Sequence, residues 1–371
     1  DAVRVAYYIA NLGRRLSGEV PLEQPKNGAI FHFSMPGSQQ GFRAQPMAGT
    51  ELRPVISNVE FEGGRALSLA FAALGPTQVA VATTPTFSPP EMLNMRTYDL
   101  MASPLLYPGQ TLSARVVAPA GNEGTIKVCL RLRVYDENDE LRDIDGDATE
   151  LGPGDEAVLS WRLPELDGQP IAEVGVAVAA AGRQASGKVL LDYLRWDGCP
   201  QVTLHRPKGN GDFWRMAWVN GVAFFSKRFP PSFRISQSRD EGMVSHGTRQ
   251  WTDYAVKSDI MVHLGNYGGL AVRVQGLRRY YGVRVTRGNK LEIVRVRDED
   301  ATVLASGDFD FAFETQIPFE VKVAGNAITA TVGGKTISAN DDSDLALNSG
   351  GVGLVIHEGA LSTNAVHVSA A

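Results

Sequence analysis

The chain has 371 residues, 43% of them hydrophobic and 21% charged, with a formal net charge of −5. This composition excludes a disordered chain, because the apolar content can offset chain entropy, and it excludes an overall basic field for nucleic acid. The longest apolar stretch, residues 66–74, is too short to cross a bilayer, so no membrane insertion is expected. Its length exceeds what a single core comfortably serves, which predicts two domains.

Residues 2–16 carry the one helical pattern: Val5, Ile9, Leu12 and Leu16 fall on one face, and Gly18 can end the helix. The chain opens inside that periodic pattern, which points to a preceding catalytic domain or chain as the surface that buries the stripe. Residues 1–27 are read as this helix plus a linker containing Pro21 and Pro25. From there on, the 39 glycines and 20 prolines punctuate short runs rich in Val, Leu, Ile and Thr, the pattern of an all-β protein. Residues 28–198 read as a first β-sandwich. Its expected strands lie at 29–33, 65–72, 78–83, 111–117, 125–135, 157–163, 171–179 and 188–196, separated by turn pairs such as Gly63-Gly64 and Asp167-Gly168. Residues 199–371 read as a second sandwich. Strands are expected at 213–218, 233–237, 243–247, 252–263, 269–275, 280–286 and 290–297, and in a hairpin over 327–332 and 335–340 around Gly333-Gly334. The fold class is therefore all-β: two tandem jelly-roll sandwiches behind a short helix.

Several stretches are familiar. The run GTRQWTDYAVKSDIMVHLGNYGGLAVRVQGLRRYY (247–281) and the close GGVGLVIHEG (350–359) resemble concanavalin A-like, LamG-like jelly rolls. YPGQTLSARV (107–116) and GKVLLDYLRWDG (187–198) resemble galactose-binding-like jelly rolls. The pair in this order, after DAVRVAYYIANLGRRLSGE, resembles the C-terminal accessory region of bacterial ADP-ribosylglycohydrolase (crystallin J1-like) proteins. That resemblance implies an accessory region beside a hydrolase. The acidic metal-binding motifs of the catalytic domain are absent from this sequence, so no catalytic residue is carried over.

The candidate binding residues follow from alternation. Leu270, Val272 and Val274 should face the core, which would leave Arg273 and Gln275 on the outer face of their strand, with Tyr280 and Arg284 sharing a face of the next. A flat ring and planar donors are what a sugar or polysaccharide ligand asks for, and arginine would also grip a uronate. Trp214 and Trp218 offer stacking rings if their face is wet and core anchors if it is not. His246 is the histidine best placed for a role. Asp143, Asp145 and Asp147, beside Asp136, Asn138, Asp139 and Glu150, form an oxygen-rich segment that reads as a solvated turn or as a structural calcium site, although the EF-hand spacing fails. No other cofactor is implied. Asp308, Asp310 and Glu314 imitate a glucanase carboxylate run, but Phe309, Phe311 and Phe313 alternate with them as in an ordinary strand. Two cysteines, Cys129 and Cys199, allow a disulfide without requiring one. The reading is a non-catalytic glycan-binding accessory region; a glycoside hydrolase using a cleft of the second domain, or a bracing or oligomerisation module, are the alternatives. Bacterial cytoplasm and secretion both stay open.

Overall fold

The computed structural model describes residues 13, 17, 28–47, 53–89 and 102–371. The stripe Val5, Ile9, Leu12 and Leu16 lies outside the described residues. No helix among the described residues is long and apolar enough to cross a membrane.

The first sandwich has two antiparallel sheets. One runs Arg43–Ala44, Val79–Pro85, Ile171–Ala180, Ile126–Tyr135, Leu141–Asp145, with Thr149–Leu151 also on Ile126–Tyr135; the other runs Val55–Phe61, Gly64–Leu74, Ala185–Asp197, Thr111–Val117, Glu156–Arg162. Alternation explains the layering. Val174, Val176 and Val178 point into the core with Val128, Leu130 and Leu132, while Ala177 and Cys129 lie in a small cluster on the other face. At Gly175 an added Cβ would come within 1.9 Å of the Ala82 carbonyl, so only glycine lets the neighbouring strand approach. Both cysteines are free thiols. Two expectations need correction. Residues 29–33 form only an isolated bridge, Phe31 to Leu194, and the acidic segment at 141–145 is an edge strand rather than a turn.

In the second sandwich fourteen strands form one hydrogen-bonded network folded over a single core. Two long strands, Phe233–His246 and Gly351–Thr363, bend and serve both layers. Residues 241–246 pair with 352–357 in the first layer, and residues 233–237 pair with 359–363 in the second. The bends fall at Asp240 and Glu358, both with positive φ. Beyond residues 352–357 the first layer continues through Tyr267–Gly276, Arg279–Thr286, Lys290–Arg297 and Asp300–Asp308. Beyond 359–363 the second continues through Tyr254–Leu264, Gln316–Ala324, Ala327–Val332 and Lys335–Asn340. The Gly333-Gly334 hairpin forms as the sequence predicts. Residues 213–218 do not form a strand: Phe213–Met216 is a helical turn.

The two sandwiches share side chains. Tyr107 of the first lies in the core of the second, its ring centroid 4.9 Å from Trp251 and 5.6 Å from His246. The Asp139 carboxylate accepts from the Asp212 and Phe213 amides at 2.7 and 3.0 Å, which satisfies two backbone donors at the start of the helical turn. Gly209, at φ 112°, runs so close to Glu137 that a Cβ would sit 2.4 Å from its carbonyl.

Candidate functional site

The residues picked from alternation divide between three places. Tyr280 and Arg284 do share the outer face of the first layer, because they are an even number apart on one regular strand. Tyr280 is nonetheless only 1% exposed, and its hydroxyl donates to Glu241. Tyr267, on the neighbouring strand, donates to the same carboxylate at 2.9 Å. The Arg284 guanidinium lies over the Tyr267 ring, 4.1 Å from its centroid, and its Nε donates to Glu292 at 3.0 Å. The His357 ring flanks Tyr267 at 4.8 Å. Burial, then the nearby Glu241 charge, raises the pKa of both tyrosines, so they stay protonated donors at neutral pH. Alternation places the tyrosines and the arginine there; the partners Glu241 and His357 come from distant strands that the sequence does not align.

Arg273 is not on that face. It sits at a β-bulge with φ 50°, where the register shifts between Val272 and Val274. The extra residue reverses the alternation: Val272 enters the main core, and Val274 joins Tyr280 on the outer side. Arg273 is 1% exposed, with Nη1 donating to the Leu347 carbonyl at 2.9 Å, Nε to the Thr252 carbonyl at 3.3 Å and Nη2 to Asp253 at 3.2 Å. Its backbone N–H donates to the Tyr254 hydroxyl at 2.6 Å. It is a strut that ties the strand end to the 347–351 segment, not a ligand group.

Gln275, beyond the bulge, turns into an open cleft of about 410 Å³ between the two sandwiches. The first sandwich contributes Ala102, Ser103 and Leu105 to its wall, and the second contributes Val219, Ser245, His246, Thr248, Arg249, Val274, Gln275 and Leu277. Leu105 and Leu277 are each 45% exposed and form an aliphatic rim. Gln275 donates through Nε2 to the Ser349 carbonyl at 2.9 Å, which fixes its amide and leaves Oε1 to accept. Arg249 donates to the Gln275 carbonyl at 3.3 Å. The turn that carries Arg249 is anchored by buried Trp251, whose carbonyl accepts from Gly350 at 2.9 Å. His246 is 5% exposed at the base of the cleft; burial lowers its pKa to about 3, so it is a neutral ring near pH 7. Of the residues picked from the sequence, Gln275 and His246 line this cleft; Ser103, Leu105 and Arg249 are not among those picked, since the first two meet Arg249 only through the packing of the two sandwiches.

The remaining candidates have structural partners. Trp214 and Trp218 are buried, one helical turn apart, and both pack on Phe225 and Phe233, so they anchor the core rather than offer wet platforms. Asp145 pairs with Arg131 at 2.6 Å, and Asp143 pairs with Arg131 at 2.9 Å and Arg133 at 3.2 Å. Asp147 lies in the loop that follows. Among the described residues no group of three acidic, His or Cys side chains is placed to hold a metal ion. Asp308 pairs with Lys290 at 2.5 Å, and Glu314 lies 2.7 Å from His263, while Phe309, Phe311 and Phe313 pack on the core.

No family model matches the chain, and no curated protein matches it. Solved structures with some likeness include a carbohydrate-binding module, CBM66, from Bacillus subtilis, 15% identical over 41% of this chain and 95% of that one, at a TM-score of 0.36. The tandem CBM22-1–CBM22-2 domain of Paenibacillus barcinonensis Xyn10C is 10% identical over 92% of this chain and 96% of that one, at 0.30. The exoplasmic/lumenal domain of VIP36 in its Ca²⁺- and mannose-bound form is 11% identical over 42% of this chain and 83% of that one, at 0.33. At these scores the likenesses carry nothing about ligand or site, which rest on the geometry above.

Proposed function

We propose that the chain is a glycan-binding region and that the cleft between its two sandwiches seats the saccharide. The observation that supports this is the lining of the cleft. Hydroxyls of Ser103, Ser245 and Thr248, a fixed amide from Gln275 and the guanidinium of Arg249 surround a volume of about 410 Å³ edged by Leu105 and Leu277. Small-molecule sites are concave, fall at domain junctions and combine apolar walls with a few oriented polar groups. A sugar ring matches both halves, with a C–H face for the leucines and hydroxyls for the donors and acceptors. Gln275 sits at a strand end and Arg249 on a pinned turn, so little ordering cost accompanies binding.

The finer reading, an accessory region attached to an ADP-ribosylglycohydrolase-like hydrolase, rests on the sequence resemblance alone. The ligand reading is tested by screening the chain on a glycan array and then titrating Gln275→Ala with any saccharide that binds. The substitution removes one hydrogen-bonding group from the cleft, which should weaken affinity by roughly 2- to 10-fold. Unchanged affinity would remove the cleft from the reading, and an array with no binder would remove the reading itself.

A further inference from the structure

We infer that the ligand of the interdomain cleft carries a carboxylate and that Arg249 is the residue that reads it. The inference rests on the cleft reading above for the ligand's seat, but its chemistry is argued from charge. Four arginines of the second sandwich are neutralised, Arg273 by Asp253, Arg279 by Asp298, Arg284 by Glu292 and Arg295 by Asp341, whereas Arg206 and Arg297 donate to backbone carbonyls. Arg249 is of the second kind and lines the cleft. Its side chain donates to a backbone carbonyl, and among the described residues no carboxylate pairs with it. Among the described residues the cleft lining contains no Asp or Glu, in a protein that carries 41 acidic residues against 36 Lys and Arg. Arg249 is exposed to solvent, and a cation lining a concave, partly apolar site offers a positive potential to whatever enters.

The class of anion follows from the count of charges. Among the described residues Arg249 is the single cation of the lining, because His246 stays neutral, and its polar companions are hydroxyls and an amide. One guanidinium matches one carboxylate, by a two-point contact that a lysine would not supply. The leucine rim then takes the body of the ligand. A uronate-bearing saccharide and a short aliphatic acid share this chemistry, and the experiment separates them.

The full chain is titrated calorimetrically with a neutral oligosaccharide, its uronate counterpart and hexanoate, each against wild type, Arg249→Ala and Arg249→Lys. The expected result is a uronate bound about tenfold or more tightly than its neutral partner. That preference should vanish in Arg249→Ala, return only in part in Arg249→Lys and shrink as salt is raised. If hexanoate binds through Arg249 and no saccharide does, the carboxylate inference stands and the saccharide reading falls. If neutral and acidic sugars bind equally and Arg249→Ala changes neither, the inference is overturned while the saccharide reading survives. Binding of none of the three ligands overturns both.

Discussion

On the outer face of the first layer of the second sandwich, Tyr267, Tyr280, Glu241, Arg284 and Glu292 hold one another. Both hydroxyls end on one carboxylate and the guanidinium on another. In the cleft, Arg249, Gln275, Ser245 and Thr248 are fewer and less aromatic, yet among the described residues the guanidinium has no carboxylate, and the walls come from both sandwiches. By residue type the first region is the better sugar site. By what each side chain has left to offer it is the second. A polar group already satisfied within the fold adds little on meeting a ligand, because one hydrogen bond replaces another; a group facing water in a concavity has that exchange still to make.

The largest effect expected from this contrast is on stability. Arg273→Ala removes a buried cation whose donors satisfy two backbone carbonyls and pair with Asp253. Asp253 is exposed and left hydrated, so the cost comes mainly from the buried carbonyls left without donors, about 1–3 kcal/mol each. Denaturant unfolding should show the loss, and a variant as stable as wild type would return Arg273 to the list of exposed ligand groups.

Arg273 also marks where the sequence stops being legible. The strands, the Gly333-Gly334 hairpin and the shared face of Tyr280 and Arg284 follow from alternation and turn chemistry, which are local. A bulge is one residue of positive φ at an arginine, with no glycine or proline to announce it, and it reverses the facing of everything beyond. The strand expected at 213–218 failed for a related reason: Trp214 and Trp218, four apart, share a side in a helix and in a strand, so the spacing cannot decide between the two elements, while the core-anchor alternative for both rings holds. Asp143 and Asp145 look like metal ligands until Arg131 and Arg133 are seen on the next strand, a pairing set by register and not by spacing. The cleft was out of reach of local pattern altogether, since Ser103 and Arg249 are brought together by tertiary contact.

A second way to sharpen the comparison is pH. His246 is buried at the base of the cleft, with its pKa lowered from 6.5 to about 3 by burial. The unfolded chain therefore binds a proton that the folded one refuses. Stability should be level above about pH 6.5 and fall as pH drops toward 3, by up to roughly 1.4 kcal/mol per unit from this one group. In His246→Phe that part of the slope should disappear. Melting temperatures of both proteins from pH 7 to pH 4 measure it, and parallel curves would show that His246 is not held neutral by its surroundings.

The smallest effects on folding, and the most telling on function, come from exchanging the two regions' arginines. One titration of an acidic oligosaccharide into wild type, Arg249→Ala and Arg284→Ala tests the central claim. The account predicts that Arg249→Ala loses affinity by about tenfold while its unfolding changes by less than about 0.5 kcal/mol. Arg284→Ala should keep wild-type affinity and lose stability instead, because Glu292 is left without its partner. An Arg284→Ala variant that loses binding beside an Arg249→Ala variant that retains it would contradict the account and place the ligand on the outer face.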